Sequence, residues 1–199
     1  TTGKVEILGT TGGRLSFHVK VTTSSAFERP NDYPDRYRPC SINDPLPAGT
    51  ADDGSVSTVD IRQDNLVIVG QVGSGKSTML NGLIAGLVQR DDVYVCVSDT
   101  SGEGRLLRYW TRAWAEGRAS RPAIDWPATT IEDTELMLLS LIQIMEGRPA
   151  DYARLMMDQN SDKILPTPDL PQIVLVLDET DQRRAQLVGE RSNRFLDHL

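Results

Sequence analysis

The eight residues Gly70-Gln71-Val72-Gly73-Ser74-Gly75-Lys76-Ser77 constrain the fold of this chain more than any other feature. Three of the first six are glycine, the residue that adopts left-handed backbone and admits close backbone approach without steric cost. Before them stands the apolar run Leu66-Val67-Ile68-Val69. After them Met79, Leu80, Leu83, Ile84, Leu87 and Val88 recur at helical spacing. The expectation is a strand over residues 66–69, a sharp turn, and an amphipathic helix opening at Lys76 that packs on a sheet. Gly82 and Gly86 form a Gly-x-x-x-Gly pair. On a helix too short and too polar for a membrane, the pair predicts close helix-sheet packing rather than a membrane dimer face.

The flanking segments extend this pattern. Leu15, Phe17, Val19 and Val21 alternate with Ser16, His18 and Lys20, and residues 5–8 precede a Thr-Thr-Gly-Gly turn, so a β-hairpin with one buried face is expected. His18 falls on its polar side. Residues 22–54 are polar and carry Pro30, Pro34, Pro39, Pro45 and Pro47, which reads as a linker or wrapping arm. Residues 56–61 are expected to form a strand joined by the polar turn 62–65 to the strand over 66–69. Residues 93–98 form an apolar run ending at Asp99, as a parallel strand covered on both faces would. A further short strand is expected over 123–126. Thr130 and Asp133 make a capping box, with Glu132 and Asp133 in the first turn of an apolar helix ending near Gly147. A second helix is expected over 150–158 and a loop over 159–171, where Pro166, Pro168 and Pro171 lie. Ile173-Val174-Leu175-Val176-Leu177 then reads as a buried strand ending in Asp178 and Glu179. Strands alternating with helices make this α/β with a mainly parallel sheet. The division expected is a hairpin module and Pro-rich linker over 1–54 and an α/β domain over 55–199.

The octapeptide matches G-x-x-x-x-G-K-[ST] in full, between a strand and a helix. Its chemistry is phosphate binding. Inward-turned backbone N–H groups cradle the phosphates, Lys76 reaches the β- and γ-phosphates, Ser77 binds Mg²⁺, and the helix N-terminus adds its positive dipole end. Thr78 offers a further hydroxyl. Asp178 and Glu179 stand at the carboxyl end of a strand, where open α/β sheets bind ligands. Asp178 is the candidate for holding Mg²⁺, and Glu179 for orienting and deprotonating the attacking water of ATP hydrolysis. An acidic pair after a strand is also a common solvated turn, and it gains meaning only beside the phosphate loop. A second acid favours a hydrolase over a small-molecule kinase.

A chain of 199 residues, 39% hydrophobic, suits one globular domain with a small extra module. The formal charge of −7 argues against a body that holds nucleic acid by bulk electrostatics, so any such contact must be local. One local candidate exists. Arg105, Arg108 and Arg112 at helical spacing, then Arg118 and Arg121, are interleaved with Tyr109, Trp110 and Trp114. Arginine with aromatics can read as a nucleic-acid or subunit contact. The preferred reading is a surface helix whose Leu106, Leu107, Trp110 and Trp114 pack inward, since amphipathicity alone predicts it. Cys40 and Cys96 are too few for a disulfide framework, which fits reduced, inert thiols in a cytosolic setting. The longest apolar stretches, 136–145 and 173–177, fall short of the roughly 20 residues needed to cross a bilayer. Nor is there a signal-peptide pattern. A start at Thr1 rather than Met suggests a segment of something longer, so a membrane anchor elsewhere stays open.

From Asn65 to Glu179 the chain resembles the FtsK/SpoIIIE family of DNA-pumping motors, most closely the branch found in actinobacterial conjugative plasmid transfer proteins. The residues that carry the resemblance are the run 66–70 leading into the loop, the run 93–99, Met145-Glu146-Gly147-Arg148, Pro166-Thr167-Pro168, and residues 171–179. The resemblance implies a RecA-like P-loop ATPase that uses ATP and Mg²⁺, assembles as a ring, usually a hexamer, and moves double-stranded DNA. Two departures stand out: Thr100-Ser101-Gly102 replace the usual Pro-Lys-Gly, and Thr180-Asp181-Gln182 replace an apolar residue, Ala and an acid. No family role carries past Glu179.

In the RecA-like sheet order that the resemblance implies, a further strand lies between the acidic-pair strand and the phosphate-loop strand. Residues 180–199 contain no apolar run fit for it, so the domain is expected to be incomplete after Glu179. A ring motor also needs an arginine from a neighbour, for which Arg183, Arg184, Arg191 and Arg194 are candidates by position. Two other functions compete with DNA translocation. One is a type VII secretion ATPase of the same superfamily that moves protein. The other is a nucleotide-binding structural module.

Overall fold

The computed structural model describes residues 4–10, 17–22, 33, 40–62, 64–100, 104–158, 160, 161 and 163–178. Glu179 and the four candidate arginines beyond it lie outside the described residues.

Alternation at the start of the chain yields the antiparallel pair β1 (Lys4–Thr10) and β2 (Phe17–Thr22), with an irregularity between Ile7 and Thr10. Which face of this hairpin is buried lies outside the described residues. A second hairpin joins β3 (Leu46–Thr50) to β4 (Val56–Val59). This corrects two expectations. Part of the supposed linker is a strand, and residues 56–59 pair with it rather than with residues 66–69. The division expected at residue 54 falls in the turn of this hairpin.

Why the proline-bearing arm adopts order is visible in its contacts. Ile42 and Leu46 are buried in the same cluster as Leu83, Ile84 and Leu87 of α1 (Lys76–Leu87). Side chains of this size contribute about 2 kcal/mol each when buried. The polar chain between them is held by two buried charged residues. Asp92 accepts the Ser41 hydroxyl at 2.5 Å and the Ile42 amide at 2.9 Å. The Arg90 guanidinium donates to the carbonyls of Ser41 (3.0 Å), Asp44 (3.2 Å), Pro45 (3.4 Å) and Gly86. These bonds satisfy carbonyls that no ladder serves. In the Gly-x-x-x-Gly pair, Gly86 is the tight position, because a side chain there would run into Leu46 of β3, whereas Gly82 faces open space.

The central sheet has the order β6-β5-β7, all parallel: β5 (Val93–Asp99) lies between β6 (Trp126–Ala128) and β7 (Gln172–Asp178). Period-two alternation sorts its side chains. Val93, Val95, Val97, Val174 and Val176 meet α1 together with Leu106, Leu107 and Ile124. Cys96, Tyr94, Ile173, Leu175, Trp126 and Ala128 meet Met137 and Leu141 of α3 (Ile131–Asp158). The sheet is thus covered on both faces, as continuous apolar strands require. The third strand falls at 126–128, two to three residues later than expected.

Two further expectations change. Residues 66–69 are not a strand: they lie outside the sheet, Val67 is 78% and Val69 87% exposed, and only Ile68 packs on the core. A β-branched run encodes extended chain, but a parallel strand exists only where a neighbour offers a ladder. Among the described residues no strand lies on the outer edge of β7. The helix expected to stop near Gly147 instead runs unbroken through Pro149 to Asp158. Proline removes one hydrogen bond to the preceding turn, which strains a helix without having to end it. The α3 stripe Thr134, Met137, Leu138 and Leu141 is buried, and the Thr130 hydroxyl accepts the Asp133 amide at 3.0 Å as the cap expected there. No helix of the described residues is long and apolar enough to cross a membrane.

Candidate functional site

The glycine-rich loop opens α1. Gly73 (φ 79°) and Gly75 (φ 92°) occupy left-handed backbone that L side chains adopt only with strain, and Gly75 is the helix N-cap. Gly70 serves a different need, since a Cβ there would lie 2.5 Å from the Ser74 hydroxyl oxygen. The Ser74 amide donates to the Gln71 carbonyl (3.1 Å), and the Met79 amide makes the bond to Gly75 that starts the helix (2.9 Å). No side chain caps this end and no acid occupies its first turn. The N–H groups of Lys76, Ser77 and Thr78 therefore lack intrahelical partners and stand at the positive end of the helix dipole. Lys76 closes the loop on itself: its ammonium donates to the carbonyls of Gly70 (2.8 Å) and Gln71 (3.0 Å). Gly70 to Gly75, with Val72 fully exposed, form an open rim around that ammonium.

The first turn is also held from behind. Asn81, one turn on from Ser77, donates its side-chain amide to the Ser77 carbonyl at 2.8 Å and accepts the Trp110 indole N–H at 2.9 Å. Trp110 belongs to α2 (Leu107–Ala115). No sequence motif singles out Asn81. Its position four residues after Ser77 on a helix was the available signal, but its tryptophan partner is distant in sequence.

Asp178 ends β7 directly opposite Asp99 at the end of β5. Both stand at the carboxyl edge of the parallel sheet. Asp99 is fully buried, and its carboxylate accepts the amides of Leu106 (2.8 Å) and Leu107 (3.4 Å), which fixes the start of α2. Beside it the Ser98 and Thr134 hydroxyls share a buried hydrogen bond of 2.8 Å, tying the same edge to α3. Cys96 is inert by environment: burial, with Asp125 second, pushes its thiol up to about 12.

The arginine-aromatic cluster follows the amphipathic reading at three of its four inward positions, Leu106, Leu107 and Trp110. Leu106 and Leu107 are buried, but Trp114, expected to pack inward, is 50% exposed, and Tyr109 is 68% exposed. Arg108 lies over the Tyr109 ring, 5.7 Å from its centre. Arg112 and Arg118 both bind Glu116, at 2.7 Å and 2.6 Å. Those two hydrogen bonds, Arg112 first, hold the Glu116 carboxyl below its ordinary value.

Among the described residues no group of three or more His, Cys, Asp or Glu could hold a metal by itself. Ser77 carries a hydroxyl and Asp178 a carboxylate, donor types that suit Mg²⁺. Fold and loop together define the class: an α/β protein with a parallel sheet and a glycine-rich, uncapped helix N-terminus. Comparison with protein-family profiles, with curated proteins and with solved structures found no match for the chain.

Proposed function

We propose that this chain is a RecA-like, ATP-hydrolysing motor domain of the FtsK/SpoIIIE type that moves double-stranded DNA. The observation that carries the reading is the loop of residues 70–77. It has the full phosphate-loop sequence, glycines at the two positive-φ positions, and a lysine held at its mouth, among the described residues, by two backbone carbonyls. The residues fit ATP and Mg²⁺. Lys76 can exchange two carbonyl partners for phosphate oxygens, a stronger charge-assisted contact. The free N–H groups of the first turn bind the same charge. Ser77 and Asp178 hold the ion, which supplies neutralisation of phosphate charge. Glu179, next to Asp178, takes a proton from the attacking water. The ring, usually a hexamer, a cytoplasmic location and an anchor in segments outside this chain belong to the same reading.

The test is ATP hydrolysis by the protein, assembled as rings, with and without duplex DNA at low salt. Stimulation that falls steeply with added salt and disappears in Lys76→Ala supports the proposal. Hydrolysis in such rings that duplex leaves unchanged refutes DNA as the cargo and turns the reading to the protein-moving relatives. Failure to bind or hydrolyse ATP refutes the motor altogether.

A further inference from the structure

The chain carries a formal charge of −7, yet residues 105–121 hold five arginines against one glutamate. That concentration lies on one short helix and the turns that flank it; Arg112 and Arg118 share Glu116, and Arg121 stands 3.9 Å from Asp125. The helix is anchored on its inner side by Leu106, Leu107 and Trp110, so its outer face is presented on a fixed support. On that face stand Arg108, Tyr109 and Arg112, all exposed, with Arg112 bonded to Glu116 at the end of the helix. Tyr109 stays in water with the Arg108 guanidinium over its ring, and Trp114 lies half exposed where the inner stripe runs out at the helix end.

We propose that the outer face of α2 binds the phosphodiester backbone of a nucleic acid, and that Trp110 and Asn81 connect it to the phosphate loop. Arginine suits phosphate through its planar, multiply donating head. The chemistry opposes an acidic polypeptide as partner: carboxylates would satisfy the arginines but leave Tyr109 unused, whereas a phosphodiester backbone offers it sugar and phosphate contacts. Coupling follows from the inner face. A shift of α2 moves the Trp110 indole N–H, which orients Asn81, whose amide holds the Ser77 carbonyl in the first turn of α1. This second half rests on the nucleotide reading of the loop; the first half does not.

The experiment measures anisotropy of a labelled, mixed-sequence duplex of about 20 base pairs against salt, with the whole protein. Arg108→Gln with Arg112→Gln should weaken binding about tenfold or more and flatten the salt dependence by about two phosphate contacts. Arg154→Gln with Lys163→Gln removes equal charge from α3 and the loop after it, and should change binding by less than about twofold. Equal weakening by both pairs, or none by the first, overturns the surface. So does displacement of the duplex by poly-glutamate at matched charge. For the coupling, a fluorescent ADP analogue is titrated with and without duplex. Each ligand should shift the affinity of the other by the same factor, and Trp110→Phe, which keeps an aromatic ring, though a smaller one, and loses the N–H, should bind both but abolish the shift. A shift that persists in Trp110→Phe, or a wild type that binds both ligands with no shift, overturns the connection. A wild type that binds duplex through α2 but no nucleotide refutes the motor reading and leaves the surface standing.

Discussion

Replacing Arg90 by alanine tests whether the arm before β3 is part of the folded core. The guanidinium donates to four carbonyls, and the residue is only 6% exposed. A hydrogen bond to a charged group contributes about 1.5–3 kcal/mol when buried. The bonds to Asp44 and Pro45 count for less, since both residues are exposed and water replaces the lost donor. The bonds to Ser41 and Gly86 therefore dominate, and the expected loss is about 3 kcal/mol. For a chain of this size that lowers the melting temperature by about 6–12 °C. A local readout accompanies it. The Ile42 amide, bonded to the buried Asp92 carboxylate, should lose hydrogen-exchange protection in Arg90→Ala well before the amides of β5 do. Arg90→Lys keeps the charge but not the fork, and should recover less than half of the loss. A melting point within about 2 °C of wild type, or unchanged Ile42 exchange, would show that the arm is held by its apolar residues alone.

Three further outcomes follow from the same structure. Gly86→Ala should destabilise by about 1–3 kcal/mol, because its Cβ would run into Leu46 and lie 3.0 Å from the Tyr33 hydroxyl. Gly82→Ala, with open space around it, should stabilise by about 0.5–1 kcal/mol; chemical denaturation of the pair checks both signs. In nucleotide assays Lys76→Ala should weaken binding, whereas Glu179→Gln should bind ATP and turn over about 10²-fold or more slowly. Normal turnover by Glu179→Gln would remove it from the mechanism. The Cys96 thiol, raised from 9.0 to about 12, keeps its proton in the folded state while the unfolded chain releases it. Stability should be complete below pH 9 and fall towards pH 12 by about 1.4 kcal/mol per unit. Tyr94, raised chiefly by its own burial, adds a loss of the same sign. Cys96→Ala should show the shallower alkaline decline in urea titrations at each pH.

What was legible in the sequence is what local chemistry decides. The start of α1 at Lys76, the cap at Thr130, the two-sided burial of β5 and the run of β7 each depend on residues within one or two turns. The misplaced features depend on partners. Residues 46–50 carry Pro47 and Gly49 and read as linker, yet they become a strand because β4 and α1 receive them. Residues 66–69 have the composition of a buried strand and no ladder to join. Trp114 fits an inward stripe by count, but the nine-residue α2 places it near its C-terminal end, where it is half exposed. Within the candidate site the turn and the helix start were legible, since Gly73 and Gly75 are required by backbone angles, but the strand expected before them was not formed. The bridge from Trp110 through Asn81 was not legible, since it joins residues twenty-nine apart.

Strand β7 has a consequence for handling the protein. Its five apolar residues form an edge that, among the described residues, has a neighbour on one side only. Such an edge is a template on which other chains can add strands. Pro171 and Asp178 bracket it, a proline that cannot extend a ladder and a charge that repels a stacked copy, and residues of this kind act as gatekeepers against aggregation. Asp178→Asn would then remove a charge that keeps the edge apart as well as a candidate ligand for the ion. Its loss of activity is interpretable only when light scattering shows that the variant stays as dispersed as its parent.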